Sequence, residues 1–197
     1  EDNEPKPFII QMFGLNEKGS SVSVFIDDFK PFFYIKVEND WEDSTKNAFV
    51  SHIKSKIGDY YSKMISKTKL VEKKKLYGFD AGLKHKFVFI EFLNTQGFNK
   101  VKNLWFKYDQ FTKETYLNPT AMKFRGSYTK IYESNIPPLL RFFHIKEISP
   151  SGWIKIVNTN KTKFKLVHNN TITNCDYEIK CTLGNIRPIN DKESLVP

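Results

Sequence analysis

Apolar and polar residues alternate through the first fifth of the chain, and this period of two is typical of half-buried β-strands. The pattern predicts strands at 8–15, 21–27 and 32–37. The turn sequence NEKGS separates the first two and contains a glycine suited to positive φ. The first two strands are therefore expected to pair as a hairpin.

The apolar period then lengthens to three or four residues, which predicts an amphipathic helix over 44–67. Two strands are predicted at 69–78 and 86–93, and a strand at 127–134 follows a second helix. The apolar residues with helical spacing in the first helix are Phe49, Ile53, Ile57, Tyr60, Tyr61 and Met64, and those of the second are Phe98, Val101, Leu104, Trp105 and Tyr108.

The order of these elements predicts an α+β fold class. Residues 32–134 read β-α-β-β-α-β, which is the ferredoxin-like plan shared by RNA-recognition motifs (RRMs). The parts at 8–31 and 135–185 are mainly β in pattern. They are expected to form an antiparallel, OB-like β-barrel subdomain that flanks the RRM-like unit or contains it as an insertion.

Positive charge is concentrated in one segment. The net charge of the chain is +9, and residues 44–86 hold eleven lysines against three acidic residues. Such a basic region indicates a polyanionic partner, most simply nucleic acid, although a solvated lysine surface is the alternative. The lysines expected to contact nucleic acid are Lys54, Lys56, Lys63, Lys73, Lys74 and Lys75.

The stretch HKFVFIEF at 85–92 resembles the RNP1 signature of RRMs and lies on the corresponding strand. Phe87 and Phe89 would share one face of this strand, and Tyr34 would supply the partner ring from the first strand of the unit. These three rings are candidates for base stacking. Lys86 stands where the signature has glycine, and the alternative is that the rings pack against a covering layer.

The thiols and imidazoles give no sign of a disulfide or a metal site. Cys175 and Cys181 lie in one predicted strand, roughly 20 Å apart at the usual rise per residue, so they are expected to be free thiols of an intracellular protein. The four histidines lack metal-ligand spacing, and no phosphate-binding glycine loop or nucleophile motif occurs. No apolar stretch is long enough to span a membrane.

Asp176 and Glu178 in TNCDYEIKC raise the alternative of a metal-dependent nuclease, because carboxylates at i and i+2 share one face of a strand. Two-metal cleavage needs further carboxylates from other elements, and no pattern marks them. The preferred interpretation places the pair on the solvent face of an edge strand, with Tyr177 and its neighbours Cys175 and Ile179 inward. No catalytic or metal-binding residue is therefore predicted.

The most specific stretch is YESNIPPLLRFFHIKEISPSGWIKI at 132–156. The Ile136-Pro137-Pro138 sequence favours an extended chain followed by a helix start. Arg141 lies among large apolar residues and needs an acidic or carbonyl partner, for which Glu133 is a local candidate. Trp153 is expected to anchor the strand that follows it.

This stretch resembles family B DNA polymerases, above all the delta-type enzymes and those of large DNA viruses. FGLNEKGSSVSVFIDDFKPFFYIKV and TNCDYEI are also similar to that family, so the resemblance runs from about Phe8 to Cys181. It implies that residues 1–197 are the N-terminal domain, ending before the exonuclease domain and carrying neither active site. The family's F-D-I-E exonuclease motif and its Y-G-D-T-D polymerase motif are both absent.

The resemblance also implies a role. The domain would brace the exonuclease and palm domains of the same chain and contact single-stranded template in a template–primer DNA complex. No cofactor is expected in this part, whereas the parent enzyme would use Mg²⁺ for synthesis and 3′-5′ proofreading. A viral enzyme would work in the host cytoplasm or nucleus. The alternative function is a standalone RRM-like module that binds single-stranded nucleic acid.

Overall fold

A computed structural model describes residues 4–74, 82–118, 122–169 and 171–189. The chain divides into two compact units. The central unit comprises Lys30–Ile136 together with residues 4–6, and the flanking unit comprises Pro7–Phe29 and the chain from Pro137 onward. Lys75, one of the predicted contacts to nucleic acid, lies outside the described residues.

The elements of the central unit alternate between strands and helices. Its strands are β3 (Phe32–Lys36), β4 (Ile65–Lys74), β5 (Lys84–Phe92), β6 (Phe106–Tyr108), β7 (Thr115–Leu117), β8 (Lys123–Phe124), β9 (Ser127–Tyr128) and β10 (Lys130–Tyr132). Its helices are α1 (Asp43–Ile57), α2 (Asp59–Ser62) and α3 (Thr95–Lys102), and a single 3-10 turn (Asn103–Trp105) follows α3.

The flanking unit is built from strands with one longer helix. Its strands are β1 (Ile10–Leu15), β2 (Ser21–Ile26), β11 (Ile154–Ile156), β12 (Lys165–Val167), β13 (Tyr177–Cys181) and β14 (Ile186–Pro188). Its helix is α4 (Pro138–Lys146), and a 3-10 turn (Leu183–Asn185) precedes β14. The α+β class is confirmed.

A four-stranded antiparallel sheet organises the central unit. Its strand order is β10-β3-β5-β4, with α1 between β3 and β4 and α3 between β5 and β10. The two helices cover one face of this sheet, since their apolar residues share a buried cluster with Ile35 of β3 and Ile90 of β5. The side chains that alternate with Ile35 and Ile90 along β3 and β5 point to the opposite face of the sheet.

Helix α1 is shorter than the sequence pattern predicts. Phe49, Ile53 and Ile57 are buried as expected, but the helix ends at Ile57. Gly58 has φ of 83°, a left-handed conformation that glycine adopts without strain and that stops an α-helix. The prediction of one helix over 44–67 is therefore wrong in its continuity: Gly58 separates α1 from the short helix α2, which holds Tyr60 and Tyr61, and Met64 reaches the core from a turn.

Helix α3 begins at a capped end and lies very close to β4. The Asn94 carboxamide oxygen accepts a hydrogen bond from the Gly97 amide at 3.0 Å. A Cβ atom added at Gly97 would lie 2.5 Å from the Met64 Cβ, so only glycine allows this approach. The predicted helix is wrong at its far end, because Tyr108 lies in β6 rather than on the helix.

A mixed sheet, not an antiparallel barrel, forms the flanking unit. The predicted β1–β2 hairpin is confirmed, with Ile10 opposite Ile26. The sheet order is β1-β2-β13-β12, and β13 runs parallel to β2. Among the described residues β1 and β12 are edges that do not pair, so this sheet does not close, and β11 pairs with β14 in a separate ribbon.

The proline-rich stretch starts a helix, as predicted. Pro138 is the first residue of α4, where a missing amide hydrogen costs nothing. Phe142 is fully buried in the core of the flanking unit, and Arg141 is 7% exposed. Trp153 is 52% exposed, so its indole does not anchor β11 by burial. No helix in the described part of the chain is long and apolar enough to cross a membrane.

Candidate nucleic-acid interface

The face of the central sheet that α1 and α3 leave open carries a row of aromatic rings. Directly paired residues of an antiparallel sheet share a face, and Tyr34 pairs with both Phe89 of β5 and Tyr132 of β10. Phe32 and Phe87 follow on the same face by alternation. The structure thus brings together Tyr34, Phe87 and Phe89, the three rings that the sequence singled out.

The rings of this face touch one another at tilted or perpendicular angles. The Tyr34 centroid lies 5.6 Å from Phe89, and Phe32 lies 5.1 Å from Phe89. Phe87 sits between Tyr34, at 6.3 Å, and Tyr132, at 5.6 Å. These are favourable aromatic geometries, and they hold the ring planes in fixed positions.

The three predicted rings are not equally accessible. Tyr34 and Phe89 are partly exposed, whereas Phe87 is only 4% exposed. A base would have to displace neighbouring groups to lie on Phe87. The Phe87 ring therefore supports the row, while Tyr34 and Phe89 offer ring surface to a ligand.

Lysines border the aromatic row. The Lys73 ammonium donates a hydrogen bond to the Tyr34 hydroxyl at 2.7 Å and lies 4.1 Å from the centre of the Tyr34 ring. Lys69 pairs directly with Phe89, and Lys67 follows on the same face of β4. Lys130 of β10 lies 5.7 Å from the Tyr132 ring centre. We call Tyr34, Phe89, Lys67, Lys69, Lys73 and Lys130 the ring–lysine face.

Three residues of this face were missed from sequence, namely Lys67, Lys69 and Lys130. The sequence shows that these lysines alternate with apolar residues, with Leu70 in β4 and with Ile131 in β10. It does not show which residues of the neighbouring strands lie opposite them. Once Lys69 is set opposite Phe89, its side chain must share the aromatic face. The cross-strand register was therefore the missing information.

The other predicted lysines lie elsewhere. Lys54 and Lys56 are exposed in the last turn of α1, where their charge stabilises the negative end of the helix. Lys63 is exposed in the turn before β4, and Lys74 alternates onto the face opposite Lys73. Because α1 packs on the covered face of the sheet, these residues do not join the ring–lysine face.

Asp176 and Glu178 are used as structural hydrogen-bond acceptors. An Asp176 carboxylate oxygen accepts from the Ser21 amide and the Ser21 hydroxyl, both at 2.7 Å, and these bonds lower the pKa of Asp176 below its usual value. One Glu178 oxygen accepts from the amides of Ile172 and Thr173. The pair fastens β13 to β2 and holds the loop before β13.

Their placement corrects the sequence interpretation. Glu178 is fully buried, and β13 lies between β2 and β12, so it is a central strand rather than an edge strand. Tyr177, expected inside, is exposed. Within the described residues no three His, Cys, Asp or Glu side chains are grouped to hold a metal ion.

Both cysteines are free thiols, as predicted, and we expect them to differ in reactivity. Burial raises the pKa of Cys181 to about 12, and the nearby charges of Asp28 and Asp27 add to the effect. A thiol with that pKa is only about one part in ten thousand thiolate at pH 8. Iodoacetamide at pH 8 should therefore alkylate the partly exposed Cys175 at least about tenfold faster than Cys181.

Peptide mass spectrometry over time measures both rates in the native protein. In Cys175→Ser the fast phase should vanish, and in urea Cys181 should react as an ordinary thiol. Equal rates for the two cysteines in the native protein would contradict the buried position of Cys181.

The C-terminal third of the chain matches a known family. Residues 129–197 match the family model of DNA polymerase family B, exonuclease domain. This match starts before β10 and includes α4 and β13, so the sequence expectation that the exonuclease domain begins only after the chain is not supported as stated.

Sequence relatives cover nearly all of the chain. The DNA polymerase of Phaeocystis pouchetii virus is 42% identical over 194 residues, covering 97% of this chain and 18% of that protein. The DNA polymerase of Acanthamoeba polyphaga mimivirus is 27% identical, covering 100% of this chain and 11% of that protein. The DNA polymerase delta catalytic subunit of Plasmodium falciparum (isolate K1 / Thailand) is 27% identical, covering 92% and 16%.

A solved structure shares the fold. The family B DNA polymerase from the hyperthermophilic archaeon Pyrobaculum calidifontis superposes with a TM-score of 0.52 at 14% identity, covering 94% of this chain and 21% of that chain. The chain spans less than a fifth of the length of the viral and delta-type relatives. These similarities relate it to family B DNA polymerases, with viral enzymes among the relatives.

Proposed function

We propose that the chain is the N-terminal region of a family B replicative DNA polymerase and that its ring–lysine face contacts the single-stranded template. The observation that carries the template contact is the pairing of Tyr34 with Phe89 on an open sheet face bordered by lysines. The similarity to viral DNA polymerases over 97% of the chain supports the assignment to the enzyme.

The chemistry of the face fits a single strand. Bases that are not paired expose their π-faces and stack on aromatic side chains without regard to sequence. The ammonium groups of Lys67 and Lys69 on one edge strand and of Lys130 on the other can neutralise phosphates on either side of the rings. Such a contact tolerates any template sequence, which a replicative enzyme needs.

Release of Lys73 is part of this proposal. In the free protein its ammonium occupies the Tyr34 ring and hydroxyl. A base that stacks on Tyr34 displaces the ammonium, which then becomes available to a phosphate of the same strand. The lysine thus covers the Tyr34 ring and fixes its hydroxyl until the template arrives.

The catalytic steps belong to the remainder of the proposed polymerase. One Asp176 oxygen accepts hydrogen bonds from Ser21, and one Glu178 oxygen accepts from Thr173, so both carboxylates help to fasten β13. In this proposal residues 129–197 lead into the exonuclease fold and precede its metal-binding carboxylates. Mg²⁺, supplied at sites in the rest of the enzyme, would serve template-directed synthesis and proofreading.

A scaffolding role toward the exonuclease and palm domains rests on α4. Leu139, Leu140 and Ile145 of this helix are all substantially exposed, while Phe142 is buried on its other side. An exposed apolar helix face is typical of a surface that another domain covers. We propose that domains of the same polymerase chain cover it.

Fluorescence anisotropy with a labelled sixteen-nucleotide oligo-dT tests the template contact. Phe89→Leu keeps apolar bulk but removes the ring, and it should weaken binding roughly 5- to 150-fold. Replacing Lys67 and Lys69 by Ala should lower the salt dependence, with the slope of log K against log salt falling by about 0.7 per lost phosphate contact. Tyr128→Ala, on the separate β8–β9 hairpin, is the matched control.

Unchanged affinity in Phe89→Leu, with an unchanged melting temperature, would show that the strand does not touch this face. A standalone module that binds single-stranded nucleic acid is the second candidate function, because the same face lies within the central unit alone. Equal affinity for RNA and DNA, together with no effect of the chain on a polymerase reaction, would favour that second candidate.

A further inference from the structure

A second groove lies on the helix side of the central unit, between α2 and α3. Its volume is about 420 Å³, and it is broadly open to solvent. Two tyrosines, three carboxamides and one ammonium line it, namely Tyr60, Tyr61, Gln96, Asn99, Lys100 and Asn103.

Helix geometry gathers the polar side chains into this groove. Gln96, Asn99 and Lys100 are three and four residues apart and therefore share one face of α3. Phe98 and Val101 lie on the other face, buried in the core, which fixes the rotation of the helix. The groove is thus a consequence of the same amphipathic pattern that packs α3.

The facing wall is aromatic. The rings of Tyr60 and Tyr61 are 5.2 Å apart and perpendicular, at 80°. Tyr61 packs partly against the core and carries the Lys100 ammonium 4.9 Å from its ring centre, whereas Tyr60 is 46% exposed. Tyr60 therefore offers a ring surface beside a positive charge.

Most of the polar side chains of the groove are exposed to solvent. Within the described residues, the side-chain amides of Gln96, Asn99 and Asn103 make no hydrogen bond, and neither tyrosine hydroxyl makes one. Other amides of the central unit are engaged, as in Asn94, whose amide nitrogen donates to the Lys6 carbonyl. Several donors and acceptors thus lie side by side on one open surface, where a ligand can reach them.

We propose that this groove binds an adenine nucleotide, either free or as an unpaired residue of a strand. A carboxamide presents a donor beside an acceptor, the complement of the N6 and N7 edge of adenine. The Tyr60 ring supplies a stacking surface for the base. The Lys100 ammonium supplies the charge for the phosphate.

This site is independent of the proposed template contact. Helix α3 packs against the sheet face that holds Ile90, whereas Tyr34 and Phe89 lie on the opposite face. A change in the groove leaves the ring–lysine face intact. Failure of one proposal therefore does not entail failure of the other.

Nitrogen-15 NMR of the whole chain, titrated with deoxyadenosine monophosphate, tests the proposal. The side-chain amide signals of Gln96, Asn99 and Asn103 should shift together and saturate. Asn99→Ala and Tyr60→Leu should each weaken binding roughly fivefold or more. Gln110→Ala removes an exposed carboxamide from the turn between β6 and β7 and should change nothing.

Three further ligands decide the outcome. Thymidine monophosphate should bind several-fold more weakly, and inorganic phosphate alone should not shift the amides. A short oligo-dA that shifts the same amides at lower concentration identifies the strand as the source, and its failure to do so identifies the free nucleotide. Shifts of equal size with phosphate alone, or no saturable shift with deoxyadenosine monophosphate, would overturn the proposal.

Discussion

Replacing Trp105 by alanine is expected to destabilise the central unit by about 3–5 kcal/mol. Trp105 is fully buried in the 3-10 turn after α3, within the cluster that joins both helices to the sheet. Its indole nitrogen donates to the carbonyl oxygen of Thr129 at 3.0 Å and lies 3.2 Å from the Thr129 hydroxyl. The substitution therefore leaves a large cavity and removes the donor to a buried carbonyl.

Amide hydrogen exchange of the peptide Lys84–Phe92 measures the effect inside the central unit. Trp105→Phe separates the two causes, because it keeps most of the bulk and loses the donor, and it should cost about 1–3 kcal/mol. Trp153→Ala is the matched control, since that indole is half exposed in the flanking unit. A loss below about 1 kcal/mol in Trp105→Ala would show that Trp105 is not buried in the core as described.

The strands of the central sheet were predictable because each has one covered face. Ile35 of β3 and Val88 of β5 are fully buried, while their sequence neighbours point to the other side. Burial of one face requires apolar residues at every second position, and this alternation is visible in the sequence. The same alternation predicted that Phe87 and Phe89 share one face of β5, and the structure places Tyr34 opposite Phe89 on that face.

The helix over 44–67 was overextended because its apolar period continues past its end. Tyr61 and Met64 keep helical spacing, yet both follow Gly58, whose φ of 83° breaks the helix. Met64 is buried because Gly97 lets α3 approach it, not because it lies on α1. Met64 is thus apolar because it contacts α3, and its spacing from the residues of α1 only resembles that of a continuous helix.

The barrel prediction failed on strand direction. Alternation in Tyr177–Cys181 indicates a strand but contains no information on which strand it joins or in which direction. In the structure β13 runs parallel to β2, with Ile179 opposite Val24, and lies within the sheet. Glu178, which was predicted to face solvent, is therefore buried. The amides of Ile172 and Thr173 donate to one Glu178 oxygen, whereas the other oxygen is buried without a hydrogen-bond partner among the described residues.

The basic segment at 44–86 contains only part of the ring–lysine face. It contains Lys67, Lys69 and Lys73, which border the rings, and also Lys54 and Lys56, which lie on α1. Composition locates a basic segment along the chain, whereas the division between two sides of one sheet depends on the cross-strand register. Lys130 lies outside the run and reaches the rings because β10 pairs with β3.

Replacing Asn185 by alanine is expected to destabilise the flanking unit by at least about 3 kcal/mol. Asn185 is fully buried, and its side chain uses all of its principal hydrogen-bonding positions. Its amide nitrogen donates to the carbonyls of Val157 and Thr162, at 2.8 and 3.1 Å. Its oxygen accepts from the amide and hydroxyl of Thr182, at 3.0 and 2.9 Å. Alanine leaves these groups without their partner.

The variant Asn185→Asp tests the same hydrogen-bond network through the pH dependence of stability. The carboxylate keeps the acceptor toward Thr182 but turns a second oxygen toward two carbonyl oxygens, so its pKa in the folded state should rise above about 3.9. An acid with a raised folded pKa destabilises as pH increases through its unfolded value. The loss relative to wild type should therefore be larger at pH 7 than at pH 4.

Exchange protection of Tyr177–Cys181 reports the flanking unit, and that of Lys84–Phe92 serves as the internal reference. Asn158→Ala is the matched control, because Asn158 is exposed and its oxygen accepts one bond, from the Phe164 amide at 2.9 Å. It should cost about 1 kcal/mol or less. Equal losses in the two alanine variants, or a loss in Asn185→Asp that does not change with pH, would mean that the buried Asn185 network does not hold β11, β13 and β14 together.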